Sequence, residues 1–281
     1  MIVKRPVEIE IPNLEQEVTI WGLGDVHIGV IGCQEDYFQR TVDAIAADPY
    51  SFWVGVGDYL EGMWHRHKNF NARTLAKWIG TEDIHRILQF ERDRFCEIVK
   101  PITGKCLGLV SGNHDAWSEA SGVDLTLDIC EKLHIPYLEV TGGVYVNIRA
   151  TVGRQTRIFP SAISVYHGCG GAATPGGKIN KIKKMTDVLE ADVHFTGHNH
   201  FKTRCDTGKV VFTQSGKIKT KVPVGIAVGS FVNDYTAFAT QYGEKMQFPP
   251  TALGASCAVL SVETKPSTQL LRRYVDPRIV A

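Results

Sequence analysis

Five short blocks of the sequence carry the side chains able to do chemistry. GDVH holds Asp25 and His27, GD holds Asp58, and GNHD holds Asn113, His114 and Asp115; HG holds His167, and GHNH holds His198 and His200. Carboxylate and amide oxygens mixed with imidazole nitrogens, and no thiolate among them, favour Mn, Fe or Zn over a purely oxygen-bound Mg or Ca. Seven of these residues are candidate ligands: Asp25, His27, Asp58, Asn113, His167, His198 and His200. That set exceeds what one ion needs and suits two divalent ions sharing a carboxylate, with Mn the first choice and Fe or Zn the alternatives. His198 and His200, one residue apart, would then each serve a different ion. A lone DxH or GD is common in a chain of this length, whereas GNHD and GHNH are rarer. Five of the ten histidines fall in these blocks, so the set is the signal rather than any one member.

The elements that must position these residues are short apolar strands. VTIWGLG (Val18–Gly24), SFWVGVG (Ser51–Gly57) and CLGLVSG (Cys106–Gly112) each read as a buried strand ending in glycine, directly before a block. Arg157–Tyr166 runs into His167, and Val193–Thr196 runs into GHNH. Open α/β sheets place their sites at the carboxyl ends of strands, so five such ends can converge on one place. Helical patterns cover Gln34–Ala47, Thr81–Val99 (closed by Pro101), Gly122–Leu133 and Asn180–Glu190, with a weaker one over Val232–Tyr242. Val144–Ile148, Lys209–Thr213, Lys217–Val228, Cys257–Val262 and Gln269–Val275 have β character. Strand–helix alternation followed mostly by strands predicts an α/β sandwich. A single domain over 1–281 is expected, with 203–281 completing the second sheet or covering the site.

Bulk properties set the bounds. The chain has 281 residues, 43% hydrophobic and 22% charged, with a formal net charge of +1, so a substantial core is expected and whole-molecule charge does not announce nucleic acid or membrane. The first twenty residues hold four glutamates and no apolar core, and no apolar run approaches the roughly 20 residues of a membrane span. Seven cysteines show no CxxC pattern; they read as free thiols in a reducing, cytoplasmic setting, with Cys33 and Cys169 as buried inert ones.

DVH, GD, GNHD, a later His and GHNH, in that order from about Trp21 to His200, resemble the calcineurin-like metallophosphoesterase superfamily. The resemblance implies a β-sandwich flanked by helices, a four-layer α/β/β/α fold with a dinuclear metal centre. It implies Asp25, His27 and His200 on one ion, Asn113, His167 and His198 on the other, and Asp58 bridging. It also places His114 near the leaving group, with Asp115 orienting its ring. Two cations about 3.5–4 Å apart lower the pKa of a bridging water and so generate a hydroxide nucleophile. They also neutralise the phosphoryl oxygens, and His114 can protonate the leaving alkoxide. One departure matters: protein phosphatases of the superfamily often read GDxVDRG, whereas this chain reads GDYLEGM, with Glu61 and no arginine. GVDLTLDICEKLHIPY and HGCGGAATPGGKINK resemble, more loosely, phosphoesterases encoded by phages and prophages.

Weaker signals bear on the substrate. MWHRHKNF (Met63–Phe70) interleaves aromatic and basic side chains; Trp64 or Phe70 could stack on a base and Arg66 contact phosphate. HGCGGAATPGGKINK lacks Walker A spacing, since Lys178 is followed by Ile179; its glycines let backbone pass close to metal and phosphate, and Lys178 can add a phosphate contact. Lys178 to Lys221 holds ten Lys/Arg against four Asp/Glu, which would guide DNA or RNA, or face solvent as a plain basic strand. The expected function is a dinuclear-metal phosphoester hydrolase leaning to phosphodiesters, nuclease-like or acting on nucleotides. The alternatives are a small-molecule or nucleotide phosphomonoesterase, and a metal-binding interaction module without turnover.

Overall fold

The computed structural model describes residues 2–68, 70–116, 122–172, 174–237, 239–265 and 268–276. Two sheets pack face to face. The first has the order β13-β12-β2-β3-β4, formed by β2 (Val18–Leu23), β3 (Ser51–Gly55), β4 (Cys106–Leu109), β12 (Ser256–Lys265) and β13 (Thr268–Asp276). The second has the order β1-β5-β6-β7-β11-β8, formed by β1 (Ile2–Ile11), β5 (Thr141–Val152), β6 (Gln155–Tyr166), β7 (Val193–Thr196), β8 (Lys202–Asp206) and β11 (Val224–Val228). In the first sheet β2, β3 and β4 are parallel; in the second, β6, β7 and β11 are.

The period-2 alternation of strands explains the layers. Ile20, Val54 and Val56 point between the sheets, where they meet Val146, Ile163, Phe195 and Ile226. Trp21, Leu23, Trp53 and Leu109 point the other way. There they are covered by Phe38, Val42 and Ile45 of α1 (Glu35–Ala47), Phe95, Ile98 and Val99 of α2 (Ile87–Val99), and Ile129 of α4 (Leu125–Leu133). Strands buried on both faces lose the polar half of their alternation, which is why β2 and β3 read as unbroken apolar runs. A fifth helix, α5 (Pro175–Val188), covers the outer face of the second sheet. It lies so close that a Cβ on Gly225 of β11 would sit 2.3 Å from Ile182. Four layers result, helix–sheet–sheet–helix, as the resemblance implies.

Several elements differ from the sequence reading, each for a local reason. Lys217–Val228 is two strands: Pro223 cannot donate to a ladder, so β10 (Ile218–Lys221) pairs with β9 (Lys209–Phe212) in a separate hairpin, and β11 joins the second sheet. Thr81–Val99 begins as a 3-10 turn over Thr81–Arg86 before α2. The glycine-rich loop ends sooner than its composition suggests: Thr174 caps α5 by accepting from Gly177 N at 3.2 Å, with Pro175 in the first turn. Among the described residues no helix forms between Val232 and Gln241; Val232 N donates to the Ser230 hydroxyl and Asn233 N to Gly32 O. Only the single turn α6 (Tyr242–Lys245) follows, and Phe238 lies outside the described residues. β1 comes from VEIEI, an alternation that the sequence reading passed over. Among the described residues no helix is long and apolar enough to cross a membrane.

Candidate metal centre

Parallel pairing brings the carboxyl ends of five strands to one edge. Leu23 pairs with Gly55 and Gly55 with Leu109, so GDVH, GD and GNHD leave the first sheet at one level. Tyr166 pairs with Thr196, and Gly197 N donates to His167 O at 2.9 Å, so His167 and GHNH leave the second sheet together. At these exits the chain turns sharply through its ligand residues themselves. Asp25, His27, Asp58, His198 and His200 all have positive φ, between 45° and 71°. An L-residue pays about 1–2 kcal/mol for this conformation, so backbone strain is concentrated on the candidate ligands.

The side chains converge in overlapping groups. Asp25, His27 and His200 offer ligand atoms within 4.8 Å of one another, so do Asp58, His167 and His198, and His114 forms a third such set with His27 and Asp58. Asp58 lies between the first two: its Oδ2 is 3.2 Å from His167 Nε2 and 3.8 Å from His27 Nε2. Asn113 joins the second group through Oδ1, 2.7 Å from His198 Nδ1 and 3.0 Å from His167 Nε2. Each of these two groups draws on both sheets. Asp25, His27, Asp58, Asp115, His167 and His194 are all buried, and of these only His194 stands apart from the edge, paired with Ser164 at 2.7 Å.

A cation fits this arrangement better than hydrogen bonds do. His167 Nδ1 meets the Val56 carbonyl at 2.8 Å, and a carbonyl only accepts, so Nδ1 carries the proton. In the neutral ring Nε2 is then a bare lone pair, yet it faces two acceptors, Asn113 Oδ1 and Asp58 Oδ2, beside His198 Nδ1 at 3.3 Å, whose own role depends on its tautomer. The other group repeats the pattern. His27 Nδ1 is 3.1 Å from Glu61 Oε2, which directs its Nε2 inward, to within 3.2 Å of His200 Nε2. Lone pairs converging without a donor want a positive charge, a proton or a metal ion. Imidazoles whose second nitrogen is fixed by a carboxylate or carbonyl are the usual metal ligands.

The protonation pattern reports the same crowding. Burial pushes the His167 imidazolium down, but the Asp58 carboxylate, with Asp25 and the Val56 carbonyl, outweighs it and lifts the ring to about 10. His27 behaves alike: desolvation lowers it, and Glu61, Asp58 and Asp25 raise it to about 9. Burial and the neighbouring His167 hold His198 near 4, and burial with His27 holds His200 well below the ordinary value. Desolvation lifts Asp25 to about 7. Desolvation would also raise Asp58, but His167 and His114 beside it leave it well below the usual carboxylate range. Without a metal, two of the four imidazoles therefore hold the positive charge.

His114 and Asp115 depart from their expected partnership. His114 lies on the short turn α3 (Asn113–Ala116), its N–H on Asp58 Oδ1 at 2.8 Å and its Nδ1 on the Glu61 carbonyl at 2.9 Å. Asp115 was expected to orient that ring. Its carboxylate instead accepts from the backbone N–H groups of Asp58 (2.8 Å), Tyr59 (3.2 Å), Leu60 (3.4 Å) and Gly112 (3.0 Å). It ties the exit of β3 to the exit of β4, a structural task; burial, with Asp58 nearby, lifts it to about 6.

Glu61 is the residue that sequence reasoning missed. Its side chain fixes His27 and lies 3.7 Å from His114 Nδ1, while its carbonyl takes the same nitrogen. GDYLEGM was read only as a departure from a pattern; the signal was a carboxylate three residues after Asp58 on the same turn. The three candidate substrate contacts fall in different places. Trp64 lines a cleft beside α2. Arg66 is exposed on the turn after it and does not line that cleft. Lys178 gives its Nζ to the Asn199 carbonyl at 3.0 Å, bracing the turn between His198 and His200, and sits 5.0 Å from the Phe201 ring centre. In the basic segment Lys183 pairs with Asp187, Arg204 with Asp206 and Lys221 with Glu190, which engages three of its ten cations and leaves the segment basic. All seven cysteines are free; Cys169 is exposed rather than buried, and Cys33 is half-buried.

No protein-family model and no curated protein matches the chain. Among solved structures it is similar to Vacuolar Protein Sorting 29 from Cryptosporidium parvum, at 14% identity and a TM-score of 0.36, covering 93% of this chain and 99% of that one. It is also similar to a predicted phosphoesterase from Streptococcus pneumoniae, at 10% identity and a TM-score of 0.35, over 93% and 99% of the two chains. A Thermotoga maritima protein matches at 13% identity and a TM-score of 0.31, over 92% and 99%. Likenesses this distant carry no function with them, and the geometry of the centre is what speaks to its chemistry.

Proposed function

We propose that this protein is a phosphoester hydrolase that works with two divalent cations. Asp25, His27 and His200 would hold one, Asn113, His167 and His198 the other, and Asp58 both. The observation that carries this reading is the set of converging acceptors around His167 Nε2, whose tautomer Val56 fixes. When bound, a cation pair supplies an activated water and neutralises phosphoryl charge. The donor set, imidazole with carboxylate and no thiolate, suits Mn first and Fe or Zn next.

The chain's own residues do the rest. With Nδ1–H donated to the Glu61 carbonyl, His114 would offer Nε2 to the leaving-group oxygen, and it passes a proton there only as the imidazolium, the form that burial and the neighbouring His27 disfavour while the centre is metal-free. Asp115 holds the Asp58 and Asn113 turns at a fixed separation, and Lys178 holds the GHNH turn, so the ligand atoms are preorganised. The finer reading is a phosphodiester substrate of nucleotide type, supported by the aromatic and basic side chains around Trp64.

The test is metal analysis of purified protein together with turnover on bis-p-nitrophenyl phosphate, p-nitrophenyl phosphate and single-stranded DNA in Mn²⁺. Cleavage of the diesters with about two ions bound per chain is the expected result. Cleavage of the monoester alone would replace the diester reading with a phosphomonoesterase. Metal without turnover on any substrate would leave an interaction module, and absence of metal would end the proposal.

A further inference from the structure

A cleft of about 300 Å³ opens at Trp64, beside α2. One wall is Trp64 and His65, the other begins at Leu125 of α4, and Ile87 and Leu88 of α2 form the floor. Both walls run out from the segments that flank His114. Gly62, two residues before Trp64, lies so close that a Cβ there would sit 2.2 Å from the His114 carbonyl. In sequence Leu125 comes after α3, which carries His114, with residues 117–121 between them outside the described ones. The cleft is therefore tied to His114 through the Gly62 contact.

Its lining is aromatic at Trp64, His65 and His85 and polar at Arg86 and Gln89. The His65 and His85 rings meet edge-on at 4.7 Å, and Trp64 meets His65 at 6.0 Å and 81°. Arg92 is bound to Asp128 at 2.5 Å, so that carboxylate is matched and the cleft does not repel anions. Arg86 gives Nε to Gln89 Oε1 at 3.2 Å, which leaves the Gln89 amide nitrogen and the outer guanidinium nitrogens of Arg86 as donors. Flat π surface plus donors at its edge is what a heteroaromatic base with ring nitrogens and carbonyls needs. The volume is at the small end of ligand sites, room for one base and its sugar rather than for a strand.

We propose that this cleft binds the nucleoside portion of the leaving group, its base against Trp64 and the touching His65–His85 pair and its edge on Gln89 and Arg86. The proposal rests on the phosphoester hydrolase reading for the word "leaving", but its test does not need turnover. Calorimetry on the Mn²⁺-loaded protein would compare AMP, ribose 5-phosphate and orthophosphate. AMP should bind about tenfold more tightly than ribose 5-phosphate. Trp64→Ala should erase that difference and leave orthophosphate affinity unchanged. His85→Ala, at an exposed position on the 3-10 turn, should shrink the same difference and serves if Trp64→Ala does not fold. Equal affinity for AMP and ribose 5-phosphate, or a difference that survives both substitutions, overturns the proposal. A protein that selects AMP yet cleaves no ester keeps the cleft and loses the hydrolase reading; one that cleaves esters without selecting AMP does the reverse. Tighter binding of an oligonucleotide than of AMP would mark the nucleoside as part of a polynucleotide, and equal binding as part of a small nucleotide.

Discussion

Glu61 Oε2 lies 3.1 Å from His27 Nδ1, and the same residue's carbonyl lies 2.9 Å from His114 Nδ1. One residue thus sets the tautomer of a candidate metal ligand and of the candidate proton donor. Glu61→Gln keeps the size of the side chain but removes its charge. It should weaken one cation site about 10–100-fold and spare the other. Manganese titration of the variant, read as two separate affinities, is the measurement; equal affinities in variant and wild type would remove Glu61 from the centre.

His114→Ala should retain both ions, because Asp25, His27, Asp58, Asn113, His167, His198 and His200 are all kept, and slow cleavage by roughly 10²–10⁴-fold. The loss should be smaller for esters whose leaving group needs no proton. Comparing p-nitrophenyl and alkyl diesters decides this: an equal loss on both speaks against proton donation.

Asp115→Asn distinguishes a structural from a catalytic role. An amide nitrogen turned towards four backbone N–H donors leaves buried donors unsatisfied, at a cost of about 1–3 kcal/mol or more. Denaturant titration should show that loss of stability, while the pH profile of the folded variant stays that of the wild type. An unchanged stability with collapsed activity would restore the ring-orienting role.

The pH response of the metal-free protein follows from which imidazoles hold protons. His27 and His167 are raised from 6.5 to about 9 and about 10. The folded state keeps those protons and the unfolded chain loses them near 6.5, so their stabilisation is complete below that value and is lost as pH rises through 9 and 10. Asp25, raised from 3.8 to about 7, acts in the same direction at lower pH; His198, lowered to about 4, acts in the opposite sense between 6.5 and 4. Above pH 7 the slope is therefore downward. Denaturation midpoints in EDTA should fall from pH 7 to 9, and saturating Mn²⁺ should flatten the fall, since cations take the nitrogens that protons leave. A flat profile in EDTA would contradict the assignment.

His200→Asn tests the strain at the strand exits. His200 has φ 45° and an Nε2 facing that of His27 at 3.2 Å. Asparagine tolerates the left-handed region and ends the crowding. The variant should lose one cation while its melting temperature in EDTA stays level or rises. A marked drop would mean that the imidazole stabilises the fold rather than the site.

Much of this centre was legible because its donors follow apolar runs. An unbroken apolar stretch such as VTIWGLG is what a strand buried on both faces looks like, and Asp25 and His27 directly after it have nowhere to go but the sheet edge. The same logic placed Asp58, Asn113, His167, His198 and His200. What escaped depends on contacts between residues far apart in sequence. Asp115 looks like a partner for the neighbouring His114, yet its carboxylate turns to amides of the Asp58–Leu60 turn, more than fifty positions away. The left-handed conformation of the ligands gave no glycine signal, because Asp and His carry the turns themselves. The Val232–Tyr242 segment has a mildly helical composition, but its first backbone donor, Val232 N, goes to the Ser230 hydroxyl and the next, Asn233 N, to the Gly32 carbonyl.

Each candidate cation position takes donors from both sheets, Asp25 and His27 against His200, Asp58 and Asn113 against His167 and His198. A bound pair of ions would act as rivets through a laminate. Shear of one sheet along the other, the softest deformation of a sandwich, would change both coordination shells together, because a close-packed interior passes displacement on rather than absorbing it. Anything that presses on either outer face, α5 on one side or α1 and α2 on the other, therefore has a mechanical route to the spacing between the ions.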